Sequence, residues 1–192
     1  MNKILLSIFV SLLTFSVASA AEKTESSTLV AETVKKVQKT VVDKINVTTP
    51  DELDDLLREI IAPVFDFEEM SKRCLGVNWR TATPKQQAEF QDLFSNLLAK
   101  NYLKQIREKA QGAQFKLYSA NERKKKATVQ TIVTTDNGTL KIDYRLYNNA
   151  GNWKVYDVIV ENIGLVSNYR SEFSDIIGRE GMEGLLVRLR AK

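Results

Sequence analysis

The sequence predicts an α+β fold in which helices precede and follow an antiparallel sheet of about four strands. Three observations support this prediction. Apolar residues recur every three or four positions from Leu29 to Gly112 and again beyond Gly164, which is typical of amphipathic helices. Between these segments the apolar period is two, which is typical of strands. The helical segments do not alternate with the strands, so a parallel sheet with crossover helices is not expected.

Residues 1–20 are predicted to be a cleaved signal peptide. Lys3 supplies a positive charge, Ile4 to Leu13 form an apolar run, and Ala18-Ser19-Ala20 is a small-residue cleavage site. Polar Thr14 and Ser16 end the apolar run short of the roughly 18 to 20 residues that a membrane span needs. Residues 21–192 are then expected to form a single exported domain.

Helix boundaries in the first half are marked by capping residues. Thr49-Pro50-Asp51-Glu52 and Thr83-Pro84-Lys85-Gln86 each combine an N-cap hydroxyl, a proline in the first turn and a Glu or Gln that completes a capping box. Glycine or proline is expected to end the helices. Four helices are predicted in this half, at about residues 29–45, 49–63, 66–76 and 83–112.

Strand signals begin after Gly112. Asp136-Asn137-Gly138 and the segment Asn148 to Asn152 mark turns between alternating stretches. The predicted order is a meander, in which each strand pairs with the next. Four strands are expected, at residues 115–118, 127–133, 140–146 and 153–160, and two helices follow them at 166–177 and 182–189.

Composition excludes several kinds of site. The chain has no histidine and a single cysteine, which excludes Ser-His and Cys-His catalytic pairs, histidine metal sites, thiolate zinc sites and disulfides. Without a histidine to activate it, Cys74 is expected to be a buried apolar residue. The net charge of +4 is small. The sequence does not show the pattern of basic residues interleaved with aromatics that would predict nucleic-acid binding.

The predicted long helix indicates a cavity. Its apolar residues between Phe90 and Ile106 cover more than half of the helix circumference, which is wider than a surface helix needs. Either the helix lies between the sheet and another helix, or part of the stripe faces a lipid or another apolar ligand.

Asp157 and two charged runs have alternative explanations. Asp157 interrupts a strand that is otherwise apolar on both faces, so it needs a partner such as Arg170, a lysine or backbone N–H groups. The run Arg123-Lys124-Lys125-Lys126 is expected at a solvated hairpin tip, where attraction to anionic lipid headgroups is the alternative. The acidic residues from Asp51 to Asp55 suit the start of a helix and do not predict a metal site.

Several segments together resemble the MlaC family of periplasmic phospholipid-binding shuttle proteins, which are also called toluene-tolerance proteins. The resemblance covers nearly the whole predicted mature chain. Its most specific part is the stretch from Tyr156-Asp157-Val158 to Asn168-Tyr169-Arg170. The other segments that carry it are Val77-Asn78-Trp79-Arg80, Thr83-Pro84-Lys85-Gln86-Gln87, Phe90 to Leu98, and Phe173.

The resemblance implies a carrier of the Mla pathway that binds a phospholipid by its acyl chains in a strongly curved sheet, with the headgroup near solvent. It would shuttle the lipid through the periplasm and so maintain outer-membrane lipid asymmetry. The implied partners are an inner-membrane ABC transporter complex with a substrate-binding ring and an outer-membrane lipoprotein-porin complex. The phospholipid would be cargo, and no cofactor is expected. The protein is expected to be a monomer.

Two other classes of function stay open at this point. A small secreted enzyme of cystatin/NTF2-like architecture would use Asp157 with Tyr144 or Tyr156, although a lone carboxylate is weak support for acid-base catalysis. A ligand-free adaptor would have a filled core instead of a cavity. The absence of a catalytic motif favours the carrier over the enzyme, and the wide apolar stripe favours it over the adaptor.

If the carrier prediction holds, the inner faces of the strands and the helix stripes that face them must line the cavity. This geometry nominates eleven lipid-binding residues. They are Val129, Val133, Ile142, Tyr144 and Leu146 from the sheet, Leu98, Tyr102 and Ile106 from the long helix, and Tyr169, Phe173 and Ile177 from the helix that follows the sheet.

Overall fold

The computed structural model describes residues 23–192. The predicted signal peptide lies outside the described residues. Helices come before and after an antiparallel sheet, so the predicted α+β class is confirmed. The elements are α1 (Glu25–Lys44), α2 (Pro50–Ile61), α3 (Phe67–Leu75), α4 (Val77–Thr81), α5 (Pro84–Ala110), β1 (Gln114–Arg123), β2 (Lys126–Thr135), β3 (Gly138–Asn149), β4 (Asn152–Val160), β5 (Ile163–Gly164) and α6 (Leu165–Arg190).

The sheet is an antiparallel meander in the order β1-β2-β3-β4-β5. Its fifth strand was not predicted, because two residues are too few to show a period of two. β1 also continues well beyond the predicted residues 115–118. A register shift between Leu117 and Ser119 interrupts the alternation there, as a β-bulge does.

The predicted capping boxes are present. Thr49 and Thr83 accept hydrogen bonds from the backbone N–H of the third residue of α2 and α5, and the side chains of these residues, Glu52 and Gln86, complete the boxes. Asp66 caps α3 in a similar way, accepting from the N–H of Glu69 at 2.7 Å. Each cap satisfies N–H groups that have no partner inside the helix. Local chemistry therefore determines where these helices begin.

The last two predicted helices form one element with a break. α6 runs from Leu165 to Arg190, but Gly181 has φ 71° and ψ −179°, a conformation that is open to glycine and strained for other residues. The chain turns at this glycine. The short second part then returns Leu185, Leu186 and Leu189 to the buried core.

The buried residues form three clusters. An aromatic cluster joins α3, α5 and α6 around Phe90, Phe94 and Phe173. A second cluster joins α1 to the inner face of the sheet, and a third ties α1, α2 and α5 into a helical layer. α5 belongs to both the first and the third cluster. Within residues 23–192, no helix combines the length and apolarity needed to cross a membrane.

Candidate functional site

A cavity of about 720 Å³ lies between the inner face of the sheet and the layer formed by α1, α2 and α5. Its size falls within the roughly 300 to 1,000 Å³ range of ligand sites. The walls are mostly aliphatic and aromatic. The helices contribute residues that include Val30, Val34, Val37, Ile61, Leu98, Leu103 and Ile106, and the strands contribute Phe115, Val133, Leu140, Ile142, Val155, Val158 and Val160.

The cavity opens to solvent along one side. Its exposed lining residues are Arg58 on α2, Gln105 and Lys109 on α5, Glu161 and Ile163 at the β4–β5 turn, and Asn168 on α6. Most of them lie on the C-terminal half of α5, the β4–β5 turn and the start of α6, which mark the mouth. An apolar interior with a polar rim suits a molecule that has an apolar body and a polar end.

Two tyrosines, Tyr102 and Tyr144, line the cavity. Burial raises the pKa of Tyr144 to about 12, and burial together with the neighbouring Tyr169 raises the pKa of Tyr102 to about 12. Both phenols are neutral at physiological pH, since a low-polarity environment disfavours the ionised form. The nearby Thr131 hydroxyl donates to the Ile142 carbonyl at 2.9 Å. The interior wall thus carries no charge from these groups.

Six of the eleven residues nominated from the sequence line this cavity. They come from the middle of α5 and from the mouth-side halves of β2 and β3. The six are Leu98, Tyr102, Ile106, Val133, Ile142 and Tyr144.

The other five nominated residues lie elsewhere. Val129 and Leu146 face inward, but they are buried in the cluster beneath α1, beyond the end of the cavity. Tyr169, Phe173 and Ile177 pack with α3 and α5 in the aromatic cluster. This cluster adjoins the cavity at Met70 and Leu98, which line the cavity as well, but the three α6 side chains are not among the lining residues. These five side chains are outside the candidate site.

Several lining residues were not nominated. α1 contributes Val30, Val34 and Val37, and the segment around α3 contributes Phe67 and Met70. The apolar stripe of α1 is visible in the sequence. Its position over the cavity is not, because that position depends on contacts between α1 and distant strands.

Asp157 is a structural residue in this fold. Its carboxylate is 4% exposed, accepts a hydrogen bond from the backbone N–H of Val166 at 3.0 Å, and lies 3.5 Å from Arg145 Nη1. The predicted need for a partner is met by a backbone N–H and by Arg145. Arg170 packs against Gly76 instead.

The enzyme alternative does not gain support from these groups. Across the described part of the chain, Asp157 makes no hydrogen bond to Tyr144 or Tyr156. Tyr144 faces the cavity, while the Tyr156 ring lies 4.1 Å beneath the Arg73 guanidinium. In residues 23–192 there is also no group of three or more acidic or thiol side chains placed to hold a metal ion.

Cys74 is buried beside the same helix start. Its thiol donates to the Val166 carbonyl at 3.7 Å, and burial raises its pKa to about 12. A thiol that remains protonated is a poor nucleophile. The expectation of a buried apolar cysteine therefore agrees with its position.

Comparisons with known proteins agree with this geometry. The toluene tolerance protein ttg2D of Pseudomonas putida is 34% identical over 137 residues, which cover 70% of this chain and 63% of that relative. The alignment therefore spans less than two thirds of the relative's length. The intermembrane phospholipid transport system binding protein MlaC of Haemophilus influenzae is 20% identical over 149 residues, covering 73% of this chain and 68% of the relative.

A solved structure shares the fold. The phospholipid-binding protein from Ralstonia solanacearum, determined in complex with a phospholipid, superposes with a TM-score of 0.81 at 24% identity, covering 88% of this chain and 96% of that chain. The sequence model of the MlaC protein family matches residues 30–191. This match covers most of the chain, and on that basis the chain belongs to the MlaC family.

Proposed function

We propose that this protein is a periplasmic carrier that binds a phospholipid by its acyl chains. The observation that carries the proposal is the apolar cavity of about 720 Å³ with a polar mouth. Leu98, Tyr102, Ile106, Val133, Ile142 and Tyr144 are proposed to contact the acyl chains. The names of the relatives and the phospholipid bound to the Ralstonia solanacearum protein support this ligand class.

The energetics fit such a role. Transfer of about 30 methylenes from water to an apolar site is worth about 25 kcal/mol at ~0.8 kcal/mol each. A phospholipid therefore does not cross an aqueous compartment unshielded. Relative to a bilayer the same burial is nearly neutral, because lipid tails are as apolar as leucine. A carrier can accordingly take up and release its cargo without chemical catalysis.

The finer parts of the proposal concern export and partners. Residues 1–20 are proposed to direct export and to be removed, leaving residues 21–192 as one phospholipid-binding domain. The monomeric carrier is proposed to shuttle lipid between an inner-membrane ABC transporter complex with a substrate-binding ring and an outer-membrane lipoprotein-porin complex. This traffic would maintain outer-membrane lipid asymmetry.

Native mass spectrometry of the purified protein, followed by organic extraction, tests the ligand. Monomers that carry the mass of a phospholipid, with the same lipid in the extract, are expected. Protein that remains ligand-free after incubation with phospholipid vesicles would contradict the proposal. Transfer of labelled phospholipid between donor and acceptor vesicles then tests whether the bound lipid is mobile cargo.

A further inference from the structure

The turn between β1 and β2 carries four consecutive cations. Arg123 and Lys126 are paired at the ends of the two strands, and Lys124 and Lys125 form the turn between them. All four side chains are exposed. Lys124 has φ 55°, a left-handed conformation that a two-residue turn ordinarily fills with Gly, Asn or Asp. The turn thus keeps a lysine where backbone preference favours another residue.

The positive charge of this tip is not neutralised locally. Within residues 23–192, none of the four side chains forms an ion pair with a carboxylate. The adjacent Glu122 faces the other way, because it lies opposite buried Ala127. Its carboxylate accepts a hydrogen bond from the N–H of Ser26 at 2.8 Å. The cations therefore project into solvent.

The tip is remote from the cavity mouth. β2 is 10 residues long, which places its two ends about 30 Å apart. The mouth lies near the opposite end, where Val133, Thr135 and Leu140 line the cavity. These cations therefore cannot serve the headgroup of a lipid in the cavity, and they require a separate explanation.

We propose that the β1–β2 tip binds the surface of an anionic phospholipid bilayer. Lysine carries a compact charge on a flexible side chain, so it can follow headgroups that move. Arginine has a planar guanidinium group, which is better suited to carboxylates held in a fixed geometry on a protein. Three of the four residues are lysines, which suits a surface of laterally mobile headgroups. Each basic residue near such a surface raises partitioning by about fivefold. With the tip on the bilayer, the mouth stands away from it and stays accessible.

Sedimentation with vesicles tests this surface. The lipid-loaded protein is mixed with phosphatidylcholine vesicles that either contain or lack phosphatidylglycerol. Preferential binding to the anionic vesicles, weakened by salt, is expected. The test variant Lys124→Gly/Lys125→Ser removes two charges and supplies favourable turn residues. Its partitioning onto the anionic vesicles is expected to fall by about 25-fold, because each of the two lysines contributes about fivefold.

A matched variant separates a local effect from net charge. Lys35→Gln/Lys36→Gln removes two exposed lysines from α1 and is expected to lose less than threefold. Equal losses in the two variants, or no preference of the unmodified protein for anionic vesicles, would overturn the proposal. The second result would leave an acidic protein surface as the partner of the tip. Native mass spectrometry of both variants shows whether lipid is retained in the cavity. Lipid content tests the carrier proposal and vesicle binding tests the proposal about the tip, so the failure of one can be distinguished from the failure of the other.

Discussion

The carboxylate of Asp157 accepts a hydrogen bond of 3.0 Å from the backbone N–H of Val166 in the first turn of α6. Strand β4 and helix α6 are thereby joined at a helix N-terminus, where negative charge is favourable. We expect Asp157→Asn to destabilise the fold by about 1 to 2 kcal/mol and Asp157→Ala by about 3 kcal/mol, because the buried N–H loses its acceptor in the alanine variant. Urea denaturation measures both. Phospholipid content should not change, and an unaltered midpoint for Asp157→Ala would contradict the structural role.

Enlarging a residue that lines the cavity should displace lipid and leave the fold intact. Val133→Trp and Ile142→Trp are expected to melt near the temperature of the unmodified protein, whereas overpacking a filled core costs about 1 to 3 kcal/mol. Less phospholipid should co-purify with either variant. Ile132→Trp is the matched control, since Ile132 alternates with Val133 and faces the outer side of β2. Failure of both test variants to fold, with lipid content unchanged in any protein that survives, would refute the cavity assignment.

Truncating a ring in the aromatic cluster should destabilise the fold. Phe173 is 0% exposed. Its ring centroid lies 5.4 Å from that of Phe90 and 5.6 Å from that of Phe94. Phe173→Ala is expected to cost about 3 to 5 kcal/mol, because it leaves a void in a packed core. Phe115→Ala removes a ring that borders existing space and should cost less. Calorimetry of the two variants decides the point, and equal losses would be inconsistent with a filled cluster beside an open cavity.

Cys74 should react slowly with thiol reagents. The ordinary pKa of its thiol is 9.0, and burial raises it to about 12. At pH 8 the thiolate fraction falls by about a thousandfold, and the thiolate is the reactive form. Labelling of the native protein is therefore expected to take days, against minutes in urea. Rapid labelling of the folded protein would show that α3 separates from α6 in solution.

The cavity rim predicts weak selection among headgroups. The charged residues at the edge of the cavity, Arg58, Lys109 and Glu161, are all exposed to solvent, where their interactions with a headgroup are screened. Phosphatidylethanolamine and phosphatidylglycerol with the same acyl chains should therefore bind with similar affinity in a competition measured by mass spectrometry. A preference greater than about tenfold, equivalent to ~1.4 kcal/mol, would show that the headgroup is held by the protein.

Local chemistry explains what could be predicted from the sequence. Thr49 and Thr83 predict helix starts because a capping box is complete within four residues. Asp136-Asn137-Gly138 predicts a hairpin because the turn signal also lies within a few consecutive residues. The width of the apolar stripe on α5 correctly indicated contacts on more than one side. These features depend on neighbours close in the chain. The order of the sheet then follows from short connections.

The cavity lining was harder to predict because it depends on distant contacts. Tyr169 and Phe173 follow the sheet in the chain, yet their rings pack against Phe94 of α5, and the part of α6 that lines the cavity is its first turn, at Leu165 and Asn168. An apolar stripe shows that a helix is covered and does not show by what. The left-handed pair Glu161 and Asn162, with φ of 48° and 68°, is likewise held by β4–β5 pairing. Glu161 has no intrinsic preference for that conformation.

Helix α5 joins two environments along its length. Phe90 and Phe94 fix its first half in the aromatic cluster, whereas Tyr102 and Ile106 face the cavity. The second half is anchored as well, because Leu103 is buried against α1 and α2 and the Arg107 guanidinium pairs with Asp54 at 2.8 Å. Amide hydrogens in both halves of α5 are therefore expected to exchange slowly. The part of the cavity wall that α5 provides should then keep its position whether or not a ligand is bound.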